Sequence, residues 1–333
     1  MTLQELLPQD SIKWEQAKTY GKVTFVPVVG NLASLKTDPK LQVATEKTSD
    51  ILISELEPES VNEVYIQSSY DFPLLVINGT ILEGGRQTRT AIRPFILKKT
   101  ATKLKIPVNC VEQGRWEYSE KYRVSDDAKQ FKFSGKRVSR KMKASFASFG
   151  HTQSSTWSAI EQMQQSNDIA RDAVNTSNYL EVEQAVIEKS NEKVKEIKAQ
   201  ILGVFSLSDQ RGILIYEAGE LSSIEIFNSS DHWKKVSNSV MDSNITDLLQ
   251  EKDHQEFKKQ KELDIKKTVS ETVEPIGDEK AYFLKYEGLE GWGVSLAKNP
   301  VYVSLHKPEV MKMSLRNSDY PEQVQYQSNQ VIE

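Results

Sequence analysis

Short apolar and β-branched runs dominate the first part of the chain. They are Val23–Leu35, Thr48–Leu56, Val64–Gln67 and Leu74–Ile77, followed by Thr90–Leu97 and Leu104–Val111. Runs of this length, bounded by glycine, proline or asparagine, are typical of strands. The pattern therefore predicts a strand-rich region over residues 20–135.

Two glycine-containing dipeptides predict tight turns between apolar runs. Asn78-Gly79 separates Leu74–Ile77 from Thr80–Leu82, and Ala218-Gly219 lies between two later runs. Asparagine and glycine tolerate the positive φ that a two-residue hairpin turn requires. We expect a β-hairpin at each position.

The period of the apolar positions changes to a helical one near Ser139. The positions are Trp157, Ile160, Met163 and Ile169, and then Val182, Val186, Val194, Ile197 and Ile201. Spacings of three and four residues place them on one face of a helix. We predict a helical segment over 139–202, and then strands over 203–306 with one helix that Asp231 caps.

The order of these elements predicts an α+β fold with mainly antiparallel strands and a central helical segment. We expect a single domain over residues 1–316. Within it, residues 250–280 are strongly charged and predict an exposed helix that frays into a linker. The polar tail, residues 317–333, is expected to be disordered.

Composition limits the classes of function. The chain is 38% hydrophobic and 27% charged, which is typical of a globular protein, and its net charge of -4 gives no global reason to bind nucleic acid. Its one cysteine, Cys110, excludes an internal disulfide and fits a reducing compartment. The sequence shows neither a signal peptide nor a membrane-spanning run, so we expect a soluble cytoplasmic protein that does not bind membranes.

A basic run interleaved with phenylalanines lies where the pattern changes from strand to helix. It contains Lys129, Lys132, Lys136, Arg137, Arg140, Lys141 and Lys143, with Phe131, Phe133 and Phe146. Such a mixture can contact nucleic acid, but the phenylalanines could equally be buried. Since the whole chain is acidic, a solvated face or phosphate recognition beside the main site is the preferred interpretation.

Common catalytic and metal-binding motifs are missing from the sequence. It has no phosphate-binding P-loop, no dinucleotide-binding glycine motif and no nucleophile elbow. The four histidines lie far apart, so no metal site is predicted, although oxygen ligands for magnesium that are distant in sequence stay open. The sequence leaves any cofactor unknown.

The first polar motif follows the run Thr80–Leu82. It reads Glu83, Gly84, Gly85, Arg86, Gln87, Thr88 and Arg89. The glycines let a ligand approach the backbone closely, and arginines can bind a phosphate or carboxylate through two hydrogen bonds. Glu83 could orient a sugar hydroxyl or act as a base. The alternative is a strand corner or β-bulge with paired arginines.

The second polar motif ends the run Leu104–Val111. It comprises Cys110, Val111, Glu112, Gln113, Gly114, Arg115 and Trp116, and Tyr118 follows. Its aromatic rings could stack on a base or sugar, or simply anchor a strand end. Cys110 lies among apolar residues, so a buried, unreactive thiol is expected. Glu225 interrupts another apolar run, and it either faces outward or joins Glu83.

Together the two motifs, the helix start at Gln153–Ile160 and the Gly212–Trp233 region resemble a known domain family over about residues 11–307. The family is named for its association with ADP-ribosyl glycohydrolases and rhodanese-phosphatase proteins. The resemblance implies a link to ADP-ribose or NAD metabolism, which rests on the genes and domains that accompany the family. The charged stretch over 250–278 departs from the usual compact pattern.

The motifs and the resemblance together predict binding or processing of ADP-ribose, NAD or a related nucleotide. The expected roles are phosphate binding by Arg86, Arg89 and Arg115, hydroxyl binding by Gln87 and Gln113, stacking by Trp116, close backbone approach at Gly84, Gly85 and Gly114, and acid–base chemistry by Glu83 or Glu112. Whether the protein is an enzyme stays open. The alternative is a noncatalytic protein-interaction domain that uses the helical segment as its surface.

Overall fold

The structure is a computed structural model of the chain. It describes residues 3–30, 38–118, 130–148, 152–170, 178–249, 251, 263 and 267–308. Antiparallel sheets and helices are both present, so the predicted α+β class with mainly antiparallel strands is confirmed. The predicted disordered tail and most of the charged stretch lie outside the described residues.

The strands are β1 (Lys18–Tyr20), β2 (Val23–Val29), β3 (Gln42–Val43), β4 (Ile51–Ser54), β5 (Glu63–Ser68), β6 (Leu74–Val76), β7 (Thr80–Gly84), β8 (Arg89–Ala91), β9 (Phe95–Leu97), β10 (Leu104–Cys110), β11 (Gln130–Arg137), β12 (Gln210–Glu217), β13 (Glu220–Phe227), β14 (Val269–Val273), β15 (Lys280–Tyr286), β16 (Leu289–Leu296) and β17 (Asn299–His306). The α-helices are α1 (Leu3–Leu6), α2 (Arg140–Ser145), α3 (Gln153–Ser166), α4 (Tyr179–Lys189), α5 (Asn191–Ile201) and α6 (Ser230–Leu248).

An eight-stranded antiparallel sheet forms one layer, in the order β1-β2-β12-β13-β17-β16-β15-β14. Alternate residues of its central strands enter two different cores. Phe25 and Ile213 pack with the helices, whereas Val26 and Leu214 pack with the N-terminal segment, residues 3–17. Both faces are covered, which explains why every residue of β2 is buried.

A closed six-stranded barrel forms the second unit, in the order β10-β5-β4-β11-β7-β8. Closure leaves no free strand edge. The register brings the ends of β4, β7 and β10 together with the starts of β5, β8 and β11, because Gly84 pairs with Phe131 and Cys110 with Arg89. We call this end the barrel mouth. Pairing of Thr80 with Arg137 marks the opposite end.

One of the two expected hairpins is present and the other prediction is wrong. Strands β12 and β13 form a hairpin, in which Ala218 and Gly219 have φ of 51° and 84°. The chain also turns at Asn78 and Gly79, but β6 pairs with β3 and β9 while β7 enters the barrel. The side chain and backbone of Asn78 bond to Ser304, Tyr302 and Arg137, which direct the turn toward the large sheet.

The predicted central helical segment corresponds to α2 through α5, and three details of the helix and linker predictions need correction. Ser190 separates the expected second helix into α4 and α5. Helix α6 is capped by Ser229, whose hydroxyl accepts the amide of Asp231, so the cap lies two residues earlier than expected. Within the charged stretch, Val269–Val273 is a strand that pairs with β15, where an exposed helix was expected.

Candidate functional site: the barrel mouth

The two polar motifs contact each other at the barrel mouth. The first connects β7 to β8, and the second follows β10. Gln87 Nε2 donates to the Glu112 carbonyl at 2.8 Å, and Arg115 Nη1 donates to the Gly85 carbonyl at 3.0 Å. The loop that connects β4 to β5, residues 55–62, reaches the same place. The two motifs therefore form one surface with a third loop.

A buried ion pair holds the second motif in shape. Arg115 Nε donates to Glu112 Oε1 at 2.8 Å, and Nη2 donates to Oε2 at 2.7 Å. Both side chains are almost fully buried, at 5% and 0% exposed. Glu112 Oε2 also accepts the Thr88 amide at 2.9 Å. The buried carboxylate accepts two hydrogen bonds from the guanidinium and a third from an amide. These bonds fix the position of Arg115 relative to the first motif.

Arg89 lies beneath the surface of the mouth and is completely buried. Its Nη1 donates to Gln87 Oε1 at 3.1 Å, and its Nη2 donates to the Ser60 carbonyl at 3.4 Å. Gln87 thereby connects Arg89 to Glu112. This arginine organises the interior of the mouth, whereas the sequence predicted that it would hold a phosphate.

Arg86 and Trp116 form the accessible part of the mouth. The Trp116 side chain is 44% exposed, and the guanidinium carbon of Arg86 lies 5.9 Å from its ring centroid. Arg86 also lies 4.6 Å from the Tyr118 ring and donates to Glu59 Oε1 and to the Trp116 carbonyl. The hydrogen bond to Glu59 raises the pKa of Arg86. The result is a cationic aromatic patch on the surface.

Glycine is required at Gly85 for steric reasons. Its φ is +54°, and a Cβ placed there would lie 2.3 Å from the Phe131 ring and 2.6 Å from Glu55 Oε1. Gly84 also has positive φ. Gly114 differs, because its φ is +98° but no atom lies near the Cβ position. Gly114 and Gln113 are both exposed beside Trp116.

Glu83 lies apart from the other candidate residues. It is half-buried on β7, and its carboxylate lies 3.5 Å from Lys132 Nζ on the neighbouring strand β11. Alternation along β7 buries Leu82 in the barrel core and turns Glu83 away from it. No contact within the described part of the chain joins Glu83 to Glu112.

Two other carboxylates, which the motifs did not include, lie at the mouth. Glu55 Oε1 accepts the Arg86 amide at 2.8 Å, and burial raises the pKa of Glu55. Hydrogen bonds from its own backbone amide, from Arg86 and from Tyr118 lower the pKa of Glu59. The only signal in the sequence was the alternation of glutamates at 55, 57 and 59 directly after a strand.

Cys110 is buried, as expected. Burial raises the pKa of its thiol, and Sγ donates to the Glu112 carbonyl at 2.9 Å. The backbone of Cys110 bonds in both directions to the side chain of Gln153, at 2.8 Å each way. The start of α3 is therefore tied to the strand that carries the second motif.

Glu225 belongs to a second cluster, which lies at the opposite end of the barrel. It is 2% exposed and contacts Arg137, Lys143 Nζ at 2.9 Å and the Tyr302 hydroxyl at 3.0 Å. Arg137 pairs in register with Thr80, the first residue of β7. Glu225 thus connects the large sheet to the barrel. It is buried rather than outward-facing, and its partners do not include Glu83, so both alternatives that the sequence left open are wrong.

The charges of this cluster shift the pKa values of its members. Although burial disfavours a charged carboxylate, Arg137 and Lys143 lower the pKa of Glu225 to about 2. Burial, aided by Arg137, lowers the pKa of Lys143 to about 8. Burial also holds His306 well below its ordinary pKa. The basic run of the sequence thus supplies two buried partners for one carboxylate.

The depressed pKa of Glu225 predicts a specific loss of stability in acid. Its ordinary value is 4.5, so the ionised carboxylate stabilises the fold above that pH and the contribution disappears as pH falls toward 2. Between pH 5 and pH 3 we expect Glu225 to account for a loss of about 2 kcal/mol. Urea unfolding of the wild type and of Glu225→Gln at both pH values measures this difference. An equal loss in both proteins would contradict it.

Comparison with known protein families gives one match. The sequence pattern of ARPP-1, the ARG and Rhodanese-Phosphatase-superfamily-associated Protein domain, matches residues 11–303. The chain belongs to this family. The comparisons with curated proteins and with solved structures found no match. The resemblance inferred from the motifs is therefore confirmed at the level of the family.

The ARPP-1 match extends through both units of the fold, from the N-terminal segment to β17. In the described ranges, no helix is long and apolar enough to cross a membrane. The same ranges contain no group of three or more histidine, cysteine, aspartate or glutamate side chains arranged to hold a metal ion. The barrel mouth of the ARPP-1 domain is thus a candidate site made of arginine, carboxylate, amide and aromatic groups.

Proposed function

We propose that this ARPP-1 protein binds ADP-ribose, or a nucleotide that contains ADP-ribose such as NAD, at the barrel mouth. The observation that carries the proposal is the exposed Trp116 ring, which is 44% exposed and lies beside Arg86 and over Arg89. A flat, accessible ring suits the face of a base. An adjoining guanidinium suits a phosphate.

Hydrogen bonds hold the loops of the mouth in place before a ligand arrives. Glu112 and Arg115 fix the loop that carries Trp116, and Glu55 fixes the backbone of Arg86. Groups that are held in place before a ligand arrives cost less conformational entropy on binding. The buried pair thus supports recognition indirectly, by positioning the exposed residues.

The contacts favour binding over turnover. Glu112 is held by Arg115 and by the Thr88 amide, and Glu83 pairs with Lys132 on the face of β7 that points away from the barrel core. A general acid or base must reach the proton that it transfers. In this proposal Glu112 positions the loop, Gln113 and Gly114 line the surface beside Trp116, and Arg86 holds the phosphate.

Replacing Arg86 by alanine tests the phosphate contact. We expect affinity for ADP-ribose to fall about 10- to 100-fold, because a charged hydrogen bond to the ligand is lost. The melting temperature without ligand should be nearly unchanged, since Arg86 is partly exposed and its ion pair with Glu59 is solvated. Calorimetric titration and thermal unfolding measure the two effects.

Arg93→Ala is the matched control for this change. Arg93 is also partly buried and also lies 5.9 Å from a tryptophan ring centroid, that of Trp292, but it bonds to the Glu274 carbonyl away from the mouth. We expect Arg93→Ala to bind ADP-ribose like the wild type. Equal affinities for all three proteins would mean that Arg86 does not contact the ligand.

A further inference from the structure

Two buried charged side chains at the barrel mouth each have one polar atom without a hydrogen-bond partner in the described residues. Glu55 is 4% exposed, and its Oε1 accepts the Arg86 amide, but its Oε2 is unpaired. Arg89 is completely buried, and its Nη1 and Nη2 donate to Gln87 and Ser60, but its Nε is unpaired. Unpaired buried polar atoms are rare in folded proteins because they are costly.

Hydrogen bonds between two loops bring both side chains into the same part of the mouth. Glu55 accepts the amide of Arg86, and Arg89 donates to the carbonyl of Ser60, which follows Glu55 in the loop that connects β4 to β5. The charge of Arg89 also opposes the rise that burial causes in the pKa of Glu55. The Arg89 guanidinium carbon lies 5.7 Å from the ring centroid of Trp116. The unpaired acceptor of Glu55 and the unpaired donor of Arg89 thus both belong to this part of the mouth.

The chemistry of this pair restricts which ligand group could satisfy it. A phosphate or carboxylate would match Arg89 but would be repelled by Glu55, and an ammonium would match Glu55 but would be repelled by Arg89. A hydroxyl group can donate its proton to the carboxylate and accept the Nε hydrogen on its oxygen. A neutral hydroxyl therefore fits both atoms at once.

We propose that Glu55 Oε2 and Arg89 Nε together bind one 2′ or 3′ hydroxyl of a ribose of the nucleotide, so that the mouth selects ribose over deoxyribose. This inference rests on the proposed nucleotide binding and adds to it a named specificity determinant. The hydroxyl enters past Trp116, whose exposed side chain can turn away from Arg89. The base then stacks on the ring while its sugar reaches the buried pair.

The test compares ADP-ribose with its four analogues that each lack one 2′ or 3′ hydroxyl, on either ribose. Calorimetric titration of the wild-type protein should show one analogue binding at least tenfold more weakly than ADP-ribose. The hydroxyl that this analogue lacks is the one that pairs with both buried atoms, so both stay unpaired when it binds. Analogues that lack another hydroxyl should bind within about threefold of ADP-ribose.

Glu55→Gln identifies the residue that recognises the hydroxyl. Because the glutamine oxygen is needed to accept the Arg86 amide, its NH₂ group takes the place of Oε2 and cannot accept a hydrogen bond. We expect ADP-ribose to bind the variant more weakly, and its preference over the selected analogue to fall clearly below that of the wild type, because the hydroxyl proton loses its acceptor. Glu57→Gln changes an exposed glutamate two residues away and should keep the tenfold preference.

The outcomes separate this inference from the proposed function. If ADP-ribose binds and all four analogues bind equally well, the hydroxyl pocket is wrong while nucleotide binding stands. A preference of undiminished size in Glu55→Gln also rejects the pocket, since another group must then recognise the hydroxyl. If ADP-ribose does not bind the wild-type protein, both proposals fail. The wild-type comparison decides the matter even if the variant does not fold.

Discussion

Glu225→Gln is expected to lower the free energy of unfolding by about 3–5 kcal/mol. The change removes the one negative charge that contacts both Arg137 and Lys143, and all three side chains are almost completely buried. Arg137 would then lack its buried counter-charge, and Lys143, whose pKa is about 8 even beside Glu225, would give up its proton. Urea unfolding at pH 7 measures the loss.

The control for this change lies on the same strand. Glu220 of β13 is exposed and pairs with Lys307, so Glu220→Gln should leave the unfolding midpoint almost unchanged. The double variant Glu225→Gln/Lys143→Met should recover part of the lost stability, because one buried amino group without its carboxylate partner is removed. Equal stability of Glu225→Gln and the wild type would mean that this cluster does not hold the sheet to the barrel.

Glu112→Gln is expected to lower the free energy of unfolding by a similar amount, about 3–5 kcal/mol, and to weaken ligand binding as well. Arg115 would lose the charge of its buried partner. The loop that carries Trp116 would then be less firmly positioned. Urea unfolding and ADP-ribose titration of the same sample give both values.

Glu59→Gln tests whether the loss of stability expected in Glu112→Gln comes from the burial of the ion pair or from ion pairing alone. Glu59 also pairs with an arginine, Arg86, but both side chains are partly exposed. Its replacement should leave the unfolding midpoint nearly unchanged. If the two variants were equally destabilised, the burial of the Glu112–Arg115 pair would not be the source of its contribution.

The local features of the fold were predictable from the sequence, but strand pairing was not. The turn at Asn78-Gly79 forms as its residues predict, with φ of 81° at Gly79. Its flanking strands nevertheless enter different sheets, because Asn78 bonds to Ser304 and Tyr302, more than 200 residues away. Contacts this distant leave no periodic signal in the chain.

The candidate site could likewise be predicted only in part. The composition of the two motifs identified two segments that contact each other in the structure, through the Gln87–Glu112 and Arg115–Gly85 hydrogen bonds. The role of each residue depended on burial, which composition does not reveal. Arg115 is buried and binds Glu112, whereas Arg86 is accessible, although each arginine directly follows a glycine in the sequence.

Glu55 illustrates what the sequence could not supply. Nothing in its local context distinguishes it from Glu57, which is exposed. Its importance comes from the closure of the barrel, which brings the end of β4 beside the start of β11 and places Glu55 against Arg86 and the Gly85 backbone. Such a residue becomes visible only when the strands are paired.

The most direct test of ligand binding at the barrel mouth is calorimetric titration of ADP-ribose into the wild-type protein, Trp116→Ala and Phe72→Ala. Phe72 is 41% exposed on a different loop and serves as the matched aromatic control. We expect saturable binding to the wild type and to Phe72→Ala, and binding about 5- to 150-fold weaker to Trp116→Ala, because stacking on an aromatic ring contributes about 1–3 kcal/mol. No binding to the wild type, or the same affinity in Trp116→Ala, would contradict the proposed site.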